Sequence, residues 1–327
     1  MATSLLRKDG RLELRIAEPL TPPFKARLGR RPEPALDDQL CHFEHFQYAL
    51  QTEASADRLY VHLEDGRGRQ LTLAERCLPF RGTPNFRDLG GYPGAAGAVV
   101  RWGMLYRSGQ LATLTDDDLG LMSSLALATI CDFRREEEQR REPTRLPPES
   151  DIALVALPID PGSMARLFED AAGEGMGAQD MVSFMEAINR EFVIQHREVY
   201  RRFFDAVLAS PGPLLFHCAA GKDRTGFAAA LLLSALGVEW DVVLEDYMLT
   251  RDYLLVQAEL SRLADKYGAA SNPALLTPVL EARASYLQSG REVMDQEFGG
   301  VTGYLRDGLG LEQAEISELR GRYLSRS

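Results

Sequence analysis

The sequence has few cysteines and no long apolar run, and both shortages exclude classes of protein. Its four cysteines, Cys41, Cys77, Cys131 and Cys218, show no C-x-x-C spacing, which argues against a zinc site or a disulfide framework. No apolar stretch approaches the ~20 residues of a membrane span, and residues 1–15 lack the apolar core of a signal peptide. We therefore expect a cytoplasmic protein without an integral membrane segment, with signal-less export left open.

Positive charge is also scarce. The chain has 37 Lys and Arg against 48 Asp and Glu, and its formal net charge at pH 7 is −11. We do not expect a nucleic-acid partner, because non-specific nucleic-acid binding depends on positive charge. An anionic ligand would instead need local cations. The length of 327 residues, 45% of them hydrophobic, allows one large domain or two ordinary ones.

The first 79 residues differ in pattern from the rest of the chain. Residues 12–16, 59–63 and 69–73 alternate as half-buried strands do, and several prolines between positions 19 and 34 break any helix. We predict a small all-β domain over residues 1–79, which could be a sandwich. Over residues 80–327 we predict an α/β domain, with a central, mainly parallel sheet flanked by helices.

One stretch, residues 216–226 (FHCAAGKDRTG), carries the strongest chemical signal. Cys218 and Arg224 bracket five residues, and apolar runs before and after them predict a strand, a tight loop and a helix. Unpaired amides and the dipole at a helix start form an anion site, and the guanidinium fork of Arg224 suits two phosphate oxygens. The Cys218 thiol should ionise readily there and act as a nucleophile for phosphoryl transfer.

The motif H-C-x-x-G-x-x-R-T-G resembles the signature of the cysteine-dependent protein tyrosine phosphatase superfamily. Its form G-K-D-R-T is similar to the bacterial branch that includes the secreted mycobacterial and listerial phosphatases. The resemblance implies hydrolysis of phosphotyrosine through a cysteinyl-phosphate intermediate, with phosphoserine, phosphothreonine or phosphoinositides as further substrates. A phosphorylated protein or a phosphoinositide is therefore the expected partner, and no metal or other cofactor is expected. The alternative is a module that binds phosphorylated ligands with little or no turnover. The oligomeric state is not indicated.

The catalytic candidates follow from this mechanism. Cys218 is the predicted nucleophile and Arg224 the predicted ligand of the transferring group. The general acid, which protonates the leaving oxygen, is predicted to be Asp223 or Asp132, with Asp160 as a third candidate. Lys222 would suit a second phosphate on an inositol ring. The residues predicted to bind phosphate are Ala219, Ala220, Gly221, Lys222, Asp223 and Arg224.

Five residues are predicted to support the loop. His217 would orient it, and Thr225 would hydrogen-bond the thiolate or the departing group. Asn85, Arg87 and Asp88 lie in an N-F-R-D-x-G-G run that also resembles the bacterial branch, and they could brace the loop. The equally favoured alternative is a turn whose side chains satisfy their own backbone.

Three further expectations concern the surroundings of the site. The charged run at residues 136–141 is interpreted as a solvated helix face, and residues 279–288 are predicted to be helical. The apolar residues near 161–195, including Met164, Leu167 and Phe168, predict a helical lid, with ordinary core packing as the alternative. Cys131 could meet Cys218 as a resolving thiol, although a small buried strand residue is the favoured interpretation.

Overall fold

The N-terminal part of the chain forms two antiparallel sheets. The structure is a computed structural model that describes residues 4–8, 11–17, 19–36, 38–50, 58–161, 177–254 and 273–325. One sheet has the strand order β1-β2-β5 and the other β4-β3-β6-β7. The strands are β1 (Ser4–Lys8), β2 (Arg11–Arg15), β3 (Phe24–Gly29), β4 (Gln39–Phe43), β5 (Gln47–Leu50), β6 (Tyr60–Glu64) and β7 (Gln70–Ala74).

The two N-terminal sheets share one apolar core. Their inward residues alternate with outward polar ones, and those that pack together include Leu12, Leu14, Phe24, Val61 and Leu63. The predicted small antiparallel β region is confirmed. Its boundary at residue 79 stays a prediction.

A five-stranded sheet forms the centre of the second part of the chain. Its order is β12-β11-β13-β10-β8, and only β8, at one edge, is antiparallel. All residues of β10, β11 and β13 are buried, as expected where helices cover both faces of a parallel sheet. The strands here are β8 (Arg87–Asp88), β9 (Val99–Val100), β10 (Leu105–Ser108), β11 (Thr129–Asp132), β12 (Ala153–Ala156), β13 (Leu214–His217) and β14 (Leu324–Ser325); β9 and β14 pair separately.

The helices flank this sheet, so the predicted α/β class is confirmed. They are α1 (Asp116–Ser124), α2 (Glu136–Arg141), α3 (Ala178–Ile194), α4 (Arg197–Ala209), α5 (Asp223–Ala235), α6 (Trp240–Met248), α7 (Thr250–Tyr253), α8 (Pro273–Leu280), α9 (Ala284–Phe298), α10 (Val301–Gly303) and α11 (Gln313–Tyr323). Short helical turns also occur at Ala95–Gly97 and Tyr304–Gly308. No helix among the described residues is long and apolar enough to cross a membrane.

The prediction of one continuous helix over residues 279–288 is wrong, because this segment contains the end of one helix and the start of the next. Helix α8 ends at Leu280, and α9 begins only at Ala284. The carbonyls of Val279 and Glu281 at this break accept hydrogen bonds from the Lys222 ammonium. Because a helix leaves its last carbonyls unpaired, a cation is a suitable partner for this end.

The region predicted to form a lid is described only in its second half. Met164, Leu167 and Phe168 lie outside the described residues. Helix α3 buries Met181, Met185 and other apolar residues and packs against α9. This burial is what the core-packing alternative expects, and a lid function stays a prediction.

Candidate active site

The cysteine–arginine loop joins the end of the central strand β13 to the start of α5. Cys218 directly follows β13, and α5 begins at Asp223. His217 pairs in register with Ser108 of β10 and Asp132 of β11, so three parallel strands end at the loop. Ligand chemistry in α/β sheets is found at this edge.

Gly221 has the conformation that gives the loop its tight turn. Its φ is +67°, and an added Cβ would lie 2.3 Å from the backbone oxygen of Ser108. Its carbonyl oxygen accepts hydrogen bonds from Arg107 Nη2 at 2.8 Å and Asn85 Nδ2 at 2.9 Å. The loop is thus held from outside by two side chains.

Arg224 is buried and anchored along one side of its guanidinium. Its Nη1 donates to Glu138 Oε2 at 2.9 Å, Phe133 O at 3.2 Å and Ile159 O at 3.3 Å. Burial opposes its charge, but Cys218 and Glu138 raise the pKa of Arg224 above its ordinary value. Among the described residues all its side-chain hydrogen bonds run through Nη1, which leaves the Nε–Nη2 edge for a ligand.

Glu138 is a residue that the sequence analysis missed. It lies on α2, in the run that was interpreted as a solvated helix face, and its side chain is only 15% exposed. Its Oε2 also accepts the backbone N–H of Arg135 at 2.9 Å. Burial acts in the opposite direction, but Arg224 and the hydrogen bonds lower the pKa of Glu138 to about 2. No local spacing distinguishes it from its neighbours Glu136 and Glu137.

Asp132 lies beside the loop but is tied to Arg134. Arg134 Nε donates to both carboxylate oxygens, at 3.0 and 3.1 Å, and its Nη2 donates to Oδ2 at 2.7 Å. Asp132 Oδ2 is also 3.6 Å from His217 Nε2. Both carboxylate oxygens of Asp132 are thus engaged by Arg134, and its role as the general acid stays a prediction.

His217 is fully buried next to the nucleophile. Its Nδ1 lies 3.3 Å from the carbonyl oxygen of Cys218, and burial lowers its pKa. A neutral imidazole fits the predicted orienting role, which stays a prediction.

Asp223 is the more accessible of the two favoured acids. Its side chain is 20% exposed, and Oδ1 accepts a hydrogen bond from the Tyr247 hydroxyl at 3.4 Å. The Lys222 ammonium lies 3.4 Å from Oδ2. Asp160 is the third candidate; its side chain is 64% exposed, and Arg135 Nη1 lies 3.7 Å away.

Lys222 points away from solvent. The residue is 1% exposed, and its Nζ donates to Val279 O and, at 3.0 Å, to Glu281 O. Burial lowers its pKa, although Asp223 acts in the opposite direction. In this arrangement the ammonium binds carbonyls at the end of α8. To make its predicted contact with phosphate, the Lys222 side chain would have to leave these carbonyls and turn towards the ligand.

Arg87 and Asp88 of the N-F-R-D run contact different parts of the structure. Arg87 donates a hydrogen bond to Asn85 Oδ1, and Asn85 in turn donates to Gly221 O of the loop. Asp88 contacts Arg58 and the backbone N–H groups of Gly90 and Gly103, both at 2.7 Å. Asp88 therefore connects β8 to its neighbours rather than to the loop.

Thr225 and Cys131 are buried near the loop. The Thr225 hydroxyl has no hydrogen-bond partner among the described residues, and its predicted hydrogen bond to the thiolate or the departing group stays a prediction. Cys131 pairs in register with Phe216, and burial raises its pKa to about 12. The thiol of Cys131 is therefore poorly ionised, which agrees with its interpretation as a small buried strand residue.

In the described part of the chain, no cluster of three or more His, Cys, Asp or Glu could hold a metal ion.

A sequence model of the tyrosine phosphatase family matches residues 78–325, which include every site residue described above. The chain belongs to the tyrosine phosphatase family. Its relatives include a Cupriavidus necator protein named as a tyrosine-protein phosphatase, which is 39% identical over 76% of this chain and 88% of that protein. The triple specificity protein phosphatase PtpB of Mycobacterium tuberculosis is 31% identical over 76% of this chain and 99% of that protein.

These matches place the phosphatase in the bacterial, cysteine-dependent branch, and it is a phosphoric monoester hydrolase. Among solved structures, TpbA of P. aeruginosa aligns with 58% of this chain and 97% of its own, at 18% identity and a TM-score of 0.29.

Proposed function

We propose that this phosphatase acts by attack of the Cys218 thiolate on the phosphorus of a phosphate monoester. The sulfur–phosphorus bond forms as the bond to the leaving oxygen breaks, and water then hydrolyses the cysteinyl phosphate. The observation that carries the proposal is the one-sided anchoring of Arg224 beside Cys218. Anchored through Nη1, the guanidinium presents a fixed edge to the oxygens of the transferring group.

Asp223 is proposed as the general acid. It begins α5 within the loop, is partly exposed and receives a hydrogen bond from Tyr247. Asp132 is buried against Arg134, and Asp160 is directed to solvent. An acid must both reach the leaving oxygen and release its proton, and Asp223 meets these needs best.

Phosphotyrosine in proteins is the proposed principal substrate, with phosphoserine, phosphothreonine and phosphoinositides as further candidates. The relatives' names, tyrosine-protein phosphatase and triple specificity protein phosphatase, support a range beyond phosphotyrosine. The reduced thiol that this chemistry needs fits the cytoplasm. Residues 1–79 are proposed to form a separate β domain, and the region near residues 161–195 is proposed to cover the site.

The test is phosphate release from p-nitrophenyl phosphate by wild type and Cys218→Ser, with EDTA present. The proposal expects turnover that survives EDTA and is lost in the variant. A folded wild type that binds phosphotyrosine peptides without releasing phosphate would instead indicate a binding module. Release rates on phosphotyrosine, phosphoserine and phosphoinositide substrates then rank the classes.

A further inference from the structure

A buried carboxylate, Asp246 on α6, lies one layer behind the phosphate loop. The residue is 1% exposed. Its Oδ2 lies 2.7 Å from Arg107 Nη1 and 3.4 Å from Arg87 Nη2, and its Oδ1 accepts the Tyr92 hydroxyl at 2.9 Å. Its backbone oxygen accepts Arg87 Nη2 at 3.0 Å. Asp246 therefore contacts Arg87 of β8, Tyr92 just after β8, and Arg107 of the neighbouring strand β10.

Two arms run from Asp246 to a single atom of the loop, the carbonyl oxygen of Gly221. In the first, Arg107 contacts Asp246 through Nη1 and donates to Gly221 O through Nη2 at 2.8 Å. In the second, Arg87 donates to Asn85 Oδ1, and Asn85 Nδ2 donates to Gly221 O at 2.9 Å. Asn85 has a φ of +62°, so its backbone is fixed in an uncommon conformation at this point.

The direction of this carbonyl controls what the loop offers to an anion. A trans peptide unit is planar, so its C=O and its N–H point in opposite directions. While Gly221 O faces Arg107 and Asn85, the N–H of Lys222 faces the other side of the loop. If this peptide turned over, a carbonyl oxygen would face the bound phosphoryl group and repel it.

The charges in this cluster depend on Asp246. Arg87 and Arg107 are fully buried, and burial together with the charge of Arg87 lowers the pKa of Arg107 to about 10, while Asp246 opposes this shift. Burial works against ionisation of Asp246, but the two guanidinium groups lower its pKa to about 2. The carboxylate is thus ionised at neutral pH, and its removal leaves two buried cations without their shared partner.

We infer that Asp246 is a positioning residue for the phosphate loop: through Arg107 and Arg87–Asn85 it keeps the Gly221 carbonyl turned away from the phosphoryl group. This inference rests on the proposed function only in that the loop binds a phosphoryl group. It makes no use of the nucleophile, so the two can be tested separately.

The first experiment measures oxyanion binding without turnover. Tungstate, a phosphate-like oxyanion, is titrated by calorimetry into Cys218→Ser and Cys218→Ser/Asp246→Asn. We expect the second protein to bind tungstate at least about tenfold more weakly, as for loss of a hydrogen bond to a charged group. In the Cys218 background, Asp246→Asn should lower kcat for p-nitrophenyl phosphate by about 100-fold and change KM much less.

The matched control is Asp65→Asn. Asp65 is also a buried carboxylate, 4% exposed, but it binds Arg69 and the backbone of a turn in the N-terminal sheets. We expect this variant to keep tungstate affinity and kcat. If Asp246→Asn is folded and stays within about threefold of its parent in both measurements, the inference is overturned. The inference is also overturned if Asp65→Asn loses as much tungstate affinity and kcat as Asp246→Asn does.

A second variant covers the case in which Asp246→Asn does not fold. Asn85→Gly removes the amide that donates to Gly221 O, leaves both guanidinium groups paired with Asp246 and tolerates the positive φ. It should also weaken tungstate binding, by about tenfold. Where both variants fold, their combined effect should be smaller than the sum, because both act on one carbonyl. Unchanged tungstate binding in Asn85→Gly would contradict the inference.

The inference and the proposed function can fail separately. If tungstate binding depends on Asp246 but turnover does not depend on Cys218, only the proposed function is refuted.

Discussion

Nη1 of Arg224 lies 2.9 Å from Oε2 of Glu138, across 86 positions of sequence. The arginine that the C-x5-R spacing supplies is therefore held by a carboxylate from a different helix. Within the described ranges the Nε–Nη2 edge has no hydrogen-bond partner while the other side is fixed, which restricts the guanidinium before any ligand binds.

Replacing Glu138 by glutamine should reduce catalysis while keeping the shape of the side chain. Glu138→Gln removes the charge that holds Arg224, and we expect kcat/KM for p-nitrophenyl phosphate to fall by about tenfold or more. Glu136→Gln is the control, because Glu136 is on the same helix with a side chain that is 77% exposed. Equal activity of the two variants would show that the ion pair does not matter for catalysis.

The same ion pair predicts a change of stability with pH. The pKa of Glu138 is lowered to about 2 from an ordinary value of 4.5, so its stabilising effect is present above pH 4.5. That contribution, on the order of 3 kcal/mol, is lost as the pH falls from 4.5 towards 2. Unfolding free energies of wild type and Glu138→Gln should differ at pH 6, and the difference should shrink steadily below pH 4.5 and disappear only near pH 2. A constant difference between the proteins across this range would contradict the assignment.

Asparagine replacements of the three candidate acids should separate them by leaving group. A poor alkyl leaving group needs protonation, whereas p-nitrophenolate leaves with little help. Asp223→Asn should slow hydrolysis of an alkyl phosphate by about 100-fold and affect p-nitrophenyl phosphate much less. Asp132→Asn, which disturbs the contacts with Arg134 and His217, should slow both substrates alike, and Asp160→Asn should slow neither. A selective loss in Asp132→Asn or Asp160→Asn instead would reassign the acid.

Lys222 should affect substrate preference more than chemistry. Its ammonium is bound to Val279 O and Glu281 O, so a second phosphate must draw it away from the end of α8. Lys222→Met should lower turnover of a phosphoinositide by about tenfold and that of p-nitrophenyl phosphate by less than about threefold. Arg251→Met is the control, because Arg251 binds Ala282 O between the same helices without touching the loop. If Lys222→Met and wild type hydrolyse phosphoinositides equally, Lys222 has no role in binding them.

Local patterns predicted the fold class and the reactive loop because their signals lie within a few residues. The strand before Cys218 and the helix after Arg224 are apolar runs, and the loop is defined by spacing alone. The alternation of residues 12–16 likewise reports which face of a sheet is buried, because Leu12, Leu14 and Ile16 are buried and the residues between them are not.

Glu138 and Asp246 could not be predicted in this way, unlike Asn85 and Arg87 of the N-F-R-D run. Glu138 has the same local pattern as the exposed Glu136, and only packing of α2 against the loop selects it. Asp246 is one of three acids on α6, and its contacts with Arg87 and Arg107 span 159 and 139 positions. The carbonyls at the interruption between α8 and α9 are bound by Lys222, which lies 57 and 59 positions earlier in the sequence. Such contacts are set by tertiary structure rather than by local sequence.

The most direct test of the proposed mechanism is to trap the covalent intermediate. Wild type and Cys218→Ser are mixed with excess p-nitrophenyl phosphate, quenched in acid during turnover, digested and analysed by mass spectrometry. The mechanism predicts one phosphoryl group on the peptide that contains Cys218 in the wild type, and none on the corresponding peptide of the variant. Steady turnover with no phosphorylated Cys218, or turnover that persists in Cys218→Ser, would contradict it.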